Sequence, residues 1–363
     1  MIPIADTTVF CPECKVSHPG QIARDGHRIL GFSGCPAAPP PVELSDDADL
    51  FLLQRQRGHV PAVPLPDPLR RFQSRHLYIT EDCNCRCPVC YRSATPDRPS
   101  AHLPLPEIVR RATCARQFGF RTLLLIGGEP TVHPEILDVI REIRRLGLSV
   151  AMASNGLAIG TSATLAVQLK QAGLARISIQ FDTLDRQTLL RLRGHDRLDV
   201  KLRAIQQVTE AGIPFFLAAT MSKLNLPETG ALLHWAESLP VLPLLFLFQS
   251  MIPFGRFPAD LDSVSREAVI RAVLDSGAVA GAVAEHIHPL PSFAPVHLAV
   301  HPDCGSILYA MRRQGRFVPA DSAVDVVGLS QDAAAVPANR SRIGMWRDLA
   351  RQGKRFLTIE HNL

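Results

Sequence analysis

No stretch of this 363-residue chain holds an apolar run long enough to span a bilayer, and its start lacks the basic-then-apolar order of a secretory leader. A soluble, cytoplasmic protein without a transmembrane segment is the expectation. Basic blocks are missing as well: a net charge of +5, with arginines interspersed among acidic residues, offers no footprint for nucleic acid. The cysteines do not form an even, disulfide-type framework. There are nine, bunched at metal-type spacings, which suits a reducing compartment. Against these absences stands an apolar content of 46%, enough at this length for one large core and a small appendage.

The densest chemistry lies in Thr80-Glu-Asp-Cys-Asn-Cys-Arg-Cys-Pro-Val-Cys-Tyr91. Cys83, Cys87 and Cys90 follow an apolar strand in the order C-x3-C-x2-C, and thiolates so close in sequence can converge on one soft metal centre. A [4Fe–4S] cube takes four ligands, so a three-cysteine loop leaves one iron open for an outside ligand. Cys85 lies off this spacing and reads as a non-ligand. A zinc knuckle is the alternative for the loop alone.

The loop resembles that of the radical S-adenosylmethionine (SAM) superfamily. The resemblance implies that the open iron chelates the amino and carboxylate groups of SAM, which an electron from the cluster cleaves to methionine and a 5′-deoxyadenosyl radical. A flavodoxin- or ferredoxin-type reductant would supply that electron.

From residue 75 onward short apolar runs alternate with helical periods, the pattern of βα units around a parallel sheet. Strands are expected at 76–80, 122–126, 149–153, 176–181, 215–220 and 244–248, with helices at 106–118, 134–146, 161–172, 198–211 and 227–238. Gly119, Gly147, Gly173 and Gly212 stand where helix ends want a left-handed residue. The fold class is therefore α/β, a partial (β/α)6 TIM-like barrel. Such a barrel carries its chemistry on loops at the carboxyl ends of its strands.

The polar motifs fall at those ends. Gly127-Gly128-Glu129-Pro130-Thr131 follows the second strand, Ser154-Asn155-Gly156 the third, and Gln180-Phe181-Asp182 the fourth. Glycines there let backbone approach a ligand closely. By resemblance, Gly127, Gly128 and Glu129 belong to the segment that binds the SAM amino group, and Ser154 and Asn155 line the SAM pocket. Gln180 or Asp182 would reach the ribose or the radical carbon, and Arg193 would pair the methionyl carboxylate, for which an Arg fork is a natural partner.

Ahead of the barrel, Cys11-Pro-Glu-Cys14 and Cys35-Pro-Ala-Ala read as two knuckles of a small rubredoxin- or zinc-ribbon-like module that would hold zinc or iron. A fourth ligand is missing at Ala38. His18 or His27 would have to substitute, or the site has decayed. The expected organisation is this module over 1–40, a proline-rich linker over 41–72 interrupted by a short helical stretch near 49–55, the barrel over 73–258, and a C-terminal extension over 259–363 that completes the active-site side. Cys114 falls mid-helix and reads as a core thiol.

Together with Pro253-Phe-Gly-Arg256 and His301-Pro-Asp-Cys304, these features resemble the branch of archaeal pterin methylases and tetraether lipid synthases. That likeness implies hydrogen abstraction from an unactivated carbon, for C–C bond formation or methylation of a small-molecule or lipid-like substrate. Phe215, Phe216, Phe246, Phe248, Met251 and Phe254 would line an apolar channel or simply fill the core. Cys304, after the apolar run 296–300, is a candidate catalytic thiol that donates hydrogen to a substrate radical or joins a second metal; a small buried residue is the alternative. Two other classes stand beside the enzyme: a metal-binding interaction protein with a structural cysteine loop, and a cluster-bearing electron carrier without SAM chemistry.

Overall fold

In the computed structural model, residues 1–11, 14–37, 40–58, 74–96, 102–243, 245–251, 255–258, 260–289 and 306–322 are described. The chain opens with an antiparallel sheet in the order β1 (Ile2–Phe10), β2 (Ser17–Asp25), β3 (Arg28–Ser33) and β4 (Val42–Ser45), followed by helix α1 (Ala48–Gly58). Asp47 starts that helix by accepting from the amide of Leu50 at 3.0 Å, the usual service of an aspartate at a helix N-terminus. The sheet and helix bury a small apolar set, Ile22, Ile29, Ala48 and Phe51. Helix α1 takes the place of the short helical stretch expected within the linker, strand β4 precedes it, and the knuckles sit on a sheet.

Six parallel strands follow: β5 (Ser74–Thr80), β6 (Thr122–Gly127), β7 (Ser149–Ser154), β8 (Leu174–Gln180), β9 (Phe215–Met221) and β10 (Phe246–Ser250). Their sheet order, β10-β9-β8-β7-β6-β5, is the chain order reversed, so every crossover returns in the same direction and the sheet curves into a partial barrel. Strands such as β6, Thr-Leu-Leu-Leu-Ile-Gly, are apolar throughout because both faces of a parallel sheet are covered.

The covering helices on the way are α2 (Leu105–Gln117), α3 (Ile136–Arg145), α4 (Leu157–Thr161), α5 (Leu165–Ala172), α6 (Arg186–Arg193), α7 (Leu198–Glu210) and α8 (Thr229–Ser238). In α3 the buried residues Ile136, Val139, Ile140 and Ile143 recur at helical spacing and face the strands. All six expected strands are present, with ends displaced by up to two residues. The helix expected over 161–172 starts only at Leu165, as α5, and α4 and α6 were not foreseen, their short sequences having few periods to read. Gly119, Gly147, Gly173 and Gly212 do take the left-handed conformation.

Phe215 is buried in the barrel core, against which Phe246 and Phe248 pack, stacked on each other at 4.5 Å. Met251 lies in a separate buried cluster with Val89, Leu192 and Leu261. Phe254 lies outside the described residues. Cys114 corrects its reading as a core thiol: it is exposed, because α2 buries Ile108, Ala112 and Ala115 on the opposite face.

The chain divides into two compact units, one of Pro64–Val264 and one combining Met1–Val63 with Ser265–Leu363. In the second, helix α9 (Arg266–Asp275) and strand β11 (Ile287–Pro289), the latter paired with β12 (Ser306–Leu308), share a buried cluster of Leu50, Ile270 and Ile287. Strands β13 (Ala310–Arg313) and β14 (Arg316–Pro319) form a hairpin. Cys304 and the run 296–300 lie outside the described residues. Among the described residues no helix is long and apolar enough to cross a membrane.

Candidate active site

The cysteine loop leaves β5 and is stitched to β6 at once. Gly128 donates its amide to the Thr80 carbonyl and Glu129 to the Asp82 carbonyl, each at 2.9 Å, prolonging the parallel pairing into the loop. The contact is so tight that a Cβ on Gly128 would stand 2.1 Å from the Asp82 oxygen. Gly128 thus admits the cysteine loop, a requirement that stands beside the expected approach of a ligand to its backbone.

The far end of the loop is clamped by Arg256. Its backbone exchanges two hydrogen bonds with Cys90, at 2.9 and 3.0 Å. Its side chain donates from Nε to the Cys87 carbonyl at 2.8 Å and from Nη2 to the Ala94 carbonyl at 2.6 Å. Gly255 makes this possible: at φ +70°, a Cβ there would lie 2.4 Å from the Cys90 oxygen. The segment was noticed in the sequence only as a likeness; no spacing rule connects residue 256 with a loop some 170 positions earlier.

Within the loop, Cys83 and Cys85 are buried with Ala94 and Leu157, and Cys87 and Cys90 pack against them. Cys87 is drawn down to about 6, first by a hydrogen bond from the Cys85 thiol and then by the charges of Arg193 and Lys201, against the effect of burial. Cys85 is pushed up because it shares its proton with Cys83 and Cys87. The donor set is thus sulfur throughout, with cations behind it, and it fits a thiolate-bound iron–sulfur cluster better than a hard cation.

Glu129, Ser154 and Asn155 join at the ends of β6 and β7. The buried Glu129 carboxylate accepts from the Ser154 hydroxyl at 2.8 Å, the Asn155 amide at 2.7 Å, and the amide and hydroxyl of Thr131 at 3.2 and 2.6 Å. Burial raises its pKa and these donors oppose the rise. The Asn155 side chain donates to Asn84 Oδ1 at 2.7 Å and approaches Cys85 Sγ at 3.5 Å, tying β7 to the cysteine loop.

At the end of β8 the buried Asp182 receives Arg193 in a two-pronged pair, Nε to Oδ2 at 2.8 Å and Nη2 to Oδ1 at 2.6 Å, and also accepts from the Thr220 amide at 2.9 Å. Arg193 is only 4% exposed and donates further to the Thr220 hydroxyl and the Val89 carbonyl. The Gln180 amide lies against the same guanidinium, its oxygen assigned toward Nη2 at 2.8 Å. Arg193 is consequently not the free fork expected for a methionyl carboxylate. It holds Asp182 and the cysteine loop in place.

Two residues escaped the sequence reading. Lys201, on α7, is buried and donates from Nζ to the carbonyls of Gln180 at 2.8 Å and Asn155 at 3.0 Å, joining the ends of β7 and β8. Burial lowers its pKa, opposed by Asp182. A lone lysine inside an amphipathic helix carries no sequence mark of this role. His195 follows Gly194, which packs on Arg86 and Pro88 of the loop. Both His195 ring nitrogens are buried without a hydrogen-bond partner among the described residues, and desolvation, with Lys201, Arg197 and Arg193 nearby, draws it down to about 4. Such orphaned polar atoms suit a polar ligand.

Residues 77–236 match the model of the Radical SAM superfamily. A probable GTP 3′,8-cyclase of Pyrococcus abyssi (strain GE5 / Orsay) is 35% identical over 168 residues, 46% of this chain and 54% of that protein. A GTP 3′,8-cyclase of Paenarthrobacter nicotinovorans is 34% identical over 174 residues, 46% of this chain and 48% of that one. The chain thus spans about half the length of the curated relatives it matches. Their names belong to another reaction than the pterin methylase and tetraether synthase branch suggested. The structure of Streptococcus suis SuiB bound to S-adenosylmethionine aligns at a TM-score of 0.47 and 16% identity, over 56% of this chain and 47% of that one. Residues 77–236, which carry the cysteine loop and most of strands β5 to β9, are thus similar to the Radical SAM superfamily of enzymes, whose cofactors are S-adenosylmethionine and a [4Fe–4S] cluster.

Proposed function

We propose that this chain generates a 5′-deoxyadenosyl radical and uses it to abstract hydrogen from an unactivated carbon of a small-molecule or lipid-like substrate, leading to C–C bond formation or methylation. The observation that carries the reading is the convergence, at the carboxyl ends of β5 to β8, of the Cys83–Cys87–Cys90 loop with two buried polar networks centred on Glu129 and Asp182. When bound through those three thiolates, a [4Fe–4S] cluster supplies the electron that cleaves SAM.

The chain's own residues do the positioning. Arg256 and Arg193 hold loop carbonyls, so the thiolates need little reorganisation. Glu129 orders Ser154 and Asn155, and Lys201 fixes the backbone of Asn155 and Gln180. His195, its nitrogens unpaired among the described residues, is the polar side chain we assign to the methionyl or ribose end of SAM in place of Arg193. A flavodoxin- or ferredoxin-type protein is the proposed reductant.

A purine nucleoside triphosphate is a second substrate reading, favoured by the names of the relatives that share the barrel segment. Anaerobic reconstitution with iron and sulfide, followed by dithionite and SAM, tests the enzyme: 5′-deoxyadenosine should form, and should not form in Cys87→Ala. Reversible reduction that leaves SAM intact would make the chain an electron carrier, and zinc in the loop with no nucleoside formed would make the loop structural. Consumption of added GTP would favour the nucleotide reading.

A further inference from the structure

The turn between β1 and β2 and the end of β3 meet at one end of the N-terminal sheet. Cys11 directly follows β1, its amide donating to the Val16 carbonyl at 3.0 Å, while Lys15 closes the turn with φ +59° and an amide that donates to the Cys11 carbonyl at 2.9 Å. Cys14 lies in that turn, and His18, second residue of β2, stands opposite Val9. Strand β3 arrives beside them: Ser33 pairs with Gly20, and Gly34 donates to the Pro19 carbonyl at 2.7 Å, which delivers Cys35. The three Sγ atoms of Cys11, Cys14 and Cys35 all lie within 4.8 Å of one another. Cys14 Sγ is 3.6 Å from Cys35 Sγ and 3.0 Å from His18 Nε2.

We propose that Cys11, Cys14, His18 and Cys35 bind one Zn²⁺ in a tetrahedral Cys3His site, separate from the cysteine loop of the barrel. A tetrahedron with Zn–S bonds of about 2.3 Å has sulfurs about 3.8 Å apart, and the Cys14–Cys35 separation of 3.6 Å is close to that edge. The His18 ring touches Cys14 Sγ and has to shift toward Cys11 and Cys35 to share one ion with all three sulfurs at the usual Zn–N length of about 2.0–2.1 Å. Thiolate and imidazole donors select zinc over magnesium or calcium, and three sulfurs with one nitrogen are a known structural zinc set.

The structure also separates the two histidines that the sequence left as alternatives. His27 lies in the turn at the other end of the β2–β3 hairpin, beyond the Asp25–Arg28 pair. At about 3.3 Å per residue, that end of β2 is about 23 Å from His18, out of reach of the thiols. A zinc ion here would pin the β1–β2 turn to the end of β3 in a sheet whose buried apolar set, Ile22, Ile29, Ala48 and Phe51, is small.

The test is metal analysis of the full-length chain, purified under anaerobic conditions after growth with added zinc, zinc being counted apart from iron. One zinc per chain is expected, with an absorption-edge spectrum fitting three sulfur neighbours and one nitrogen. His18→Ala should weaken zinc retention against a chelator by at least about tenfold, His18→Cys should restore it, and His27→Ala should leave it unchanged. Cys14→Ser should lose zinc while keeping the iron of the barrel cluster. Four results would overturn the proposal: no zinc in the wild-type chain, wild-type zinc retention in His18→Ala, iron in place of zinc at this site, or a Cys14–Cys35 disulfide in the anaerobic protein.

Discussion

Gly128 and Asp82 are in such close backbone contact that any side chain at 128 would collide with the Asp82 carbonyl, one residue before Cys83. The glycine pair at the end of β6 thus lets the cysteine loop pack against that strand.

Gly128→Val is therefore expected to impair cluster loading itself. Iron and sulfide per reconstituted chain should fall well below wild type. A variant with full iron content and a defect confined to SAM affinity would return Gly128 to the role of ligand-facing glycine.

Cys83→Ala, Cys87→Ala and Cys90→Ala should each abolish the brown cluster, whereas Cys85→Ala should keep it. Cys85 is buried beside Cys83 and Cys87 but lies off the C-x3-C-x2-C spacing, the position of a neighbour and not of a ligand. Iron loss in the Cys85 variant, at unchanged folding by circular dichroism, would promote it to a ligand.

Arg256→Lys should lower cluster retention although the charge is kept. One ammonium does not reproduce the forked contact with the Cys87 and Ala94 carbonyls, and each lost charged hydrogen bond is worth about 1.5–3 kcal/mol. The half-life of the cluster against an iron chelator measures the effect; an unchanged half-life rejects the clamp.

Arg193→Ala should destabilise the fold by about 3–5 kcal/mol, because it leaves Asp182 buried without its cation. The double variant Arg193→Met, Asp182→Leu should recover much of that loss. Denaturant midpoints decide it: a full-stability Arg193→Ala protein with weakened SAM binding would restore the free-fork reading.

His195 gives an acid-side pH dependence. Its folded pKa of about 4 lies below the ordinary histidine value of about 6.5, so between those limits the unfolded chain binds more protons. The stability it contributes is present above about pH 6.5 and is lost as pH falls toward 4. In His195→Gln the cluster-loaded protein should show a shallower loss of denaturant midpoint over that window, and identical slopes would exclude His195 as the source.

The sequence alone determined the parallel barrel and the strand ends that carry its polar motifs, because apolar period, helix period and strand-end polar residues are local signals that burial reinforces. C-x3-C-x2-C was equally legible, its three thiolates being neighbours on one loop. What only the tertiary structure decided was who partners whom. Arg193 and Asp182, Lys201 and the Gln180 carbonyl, Arg256 and the Cys87 carbonyl, and His18 rather than His27 beside Cys14 all join different elements. The exposure of Cys114 was hidden for a related reason: helix rotation against the sheet is set by the larger buried side chains of α2, not by the thiol. The return of the segment after Ser265 to the N-terminal strands belongs here too, since burying Ile270 and Ile287 with Leu50 is a long-range choice that chain order does not announce.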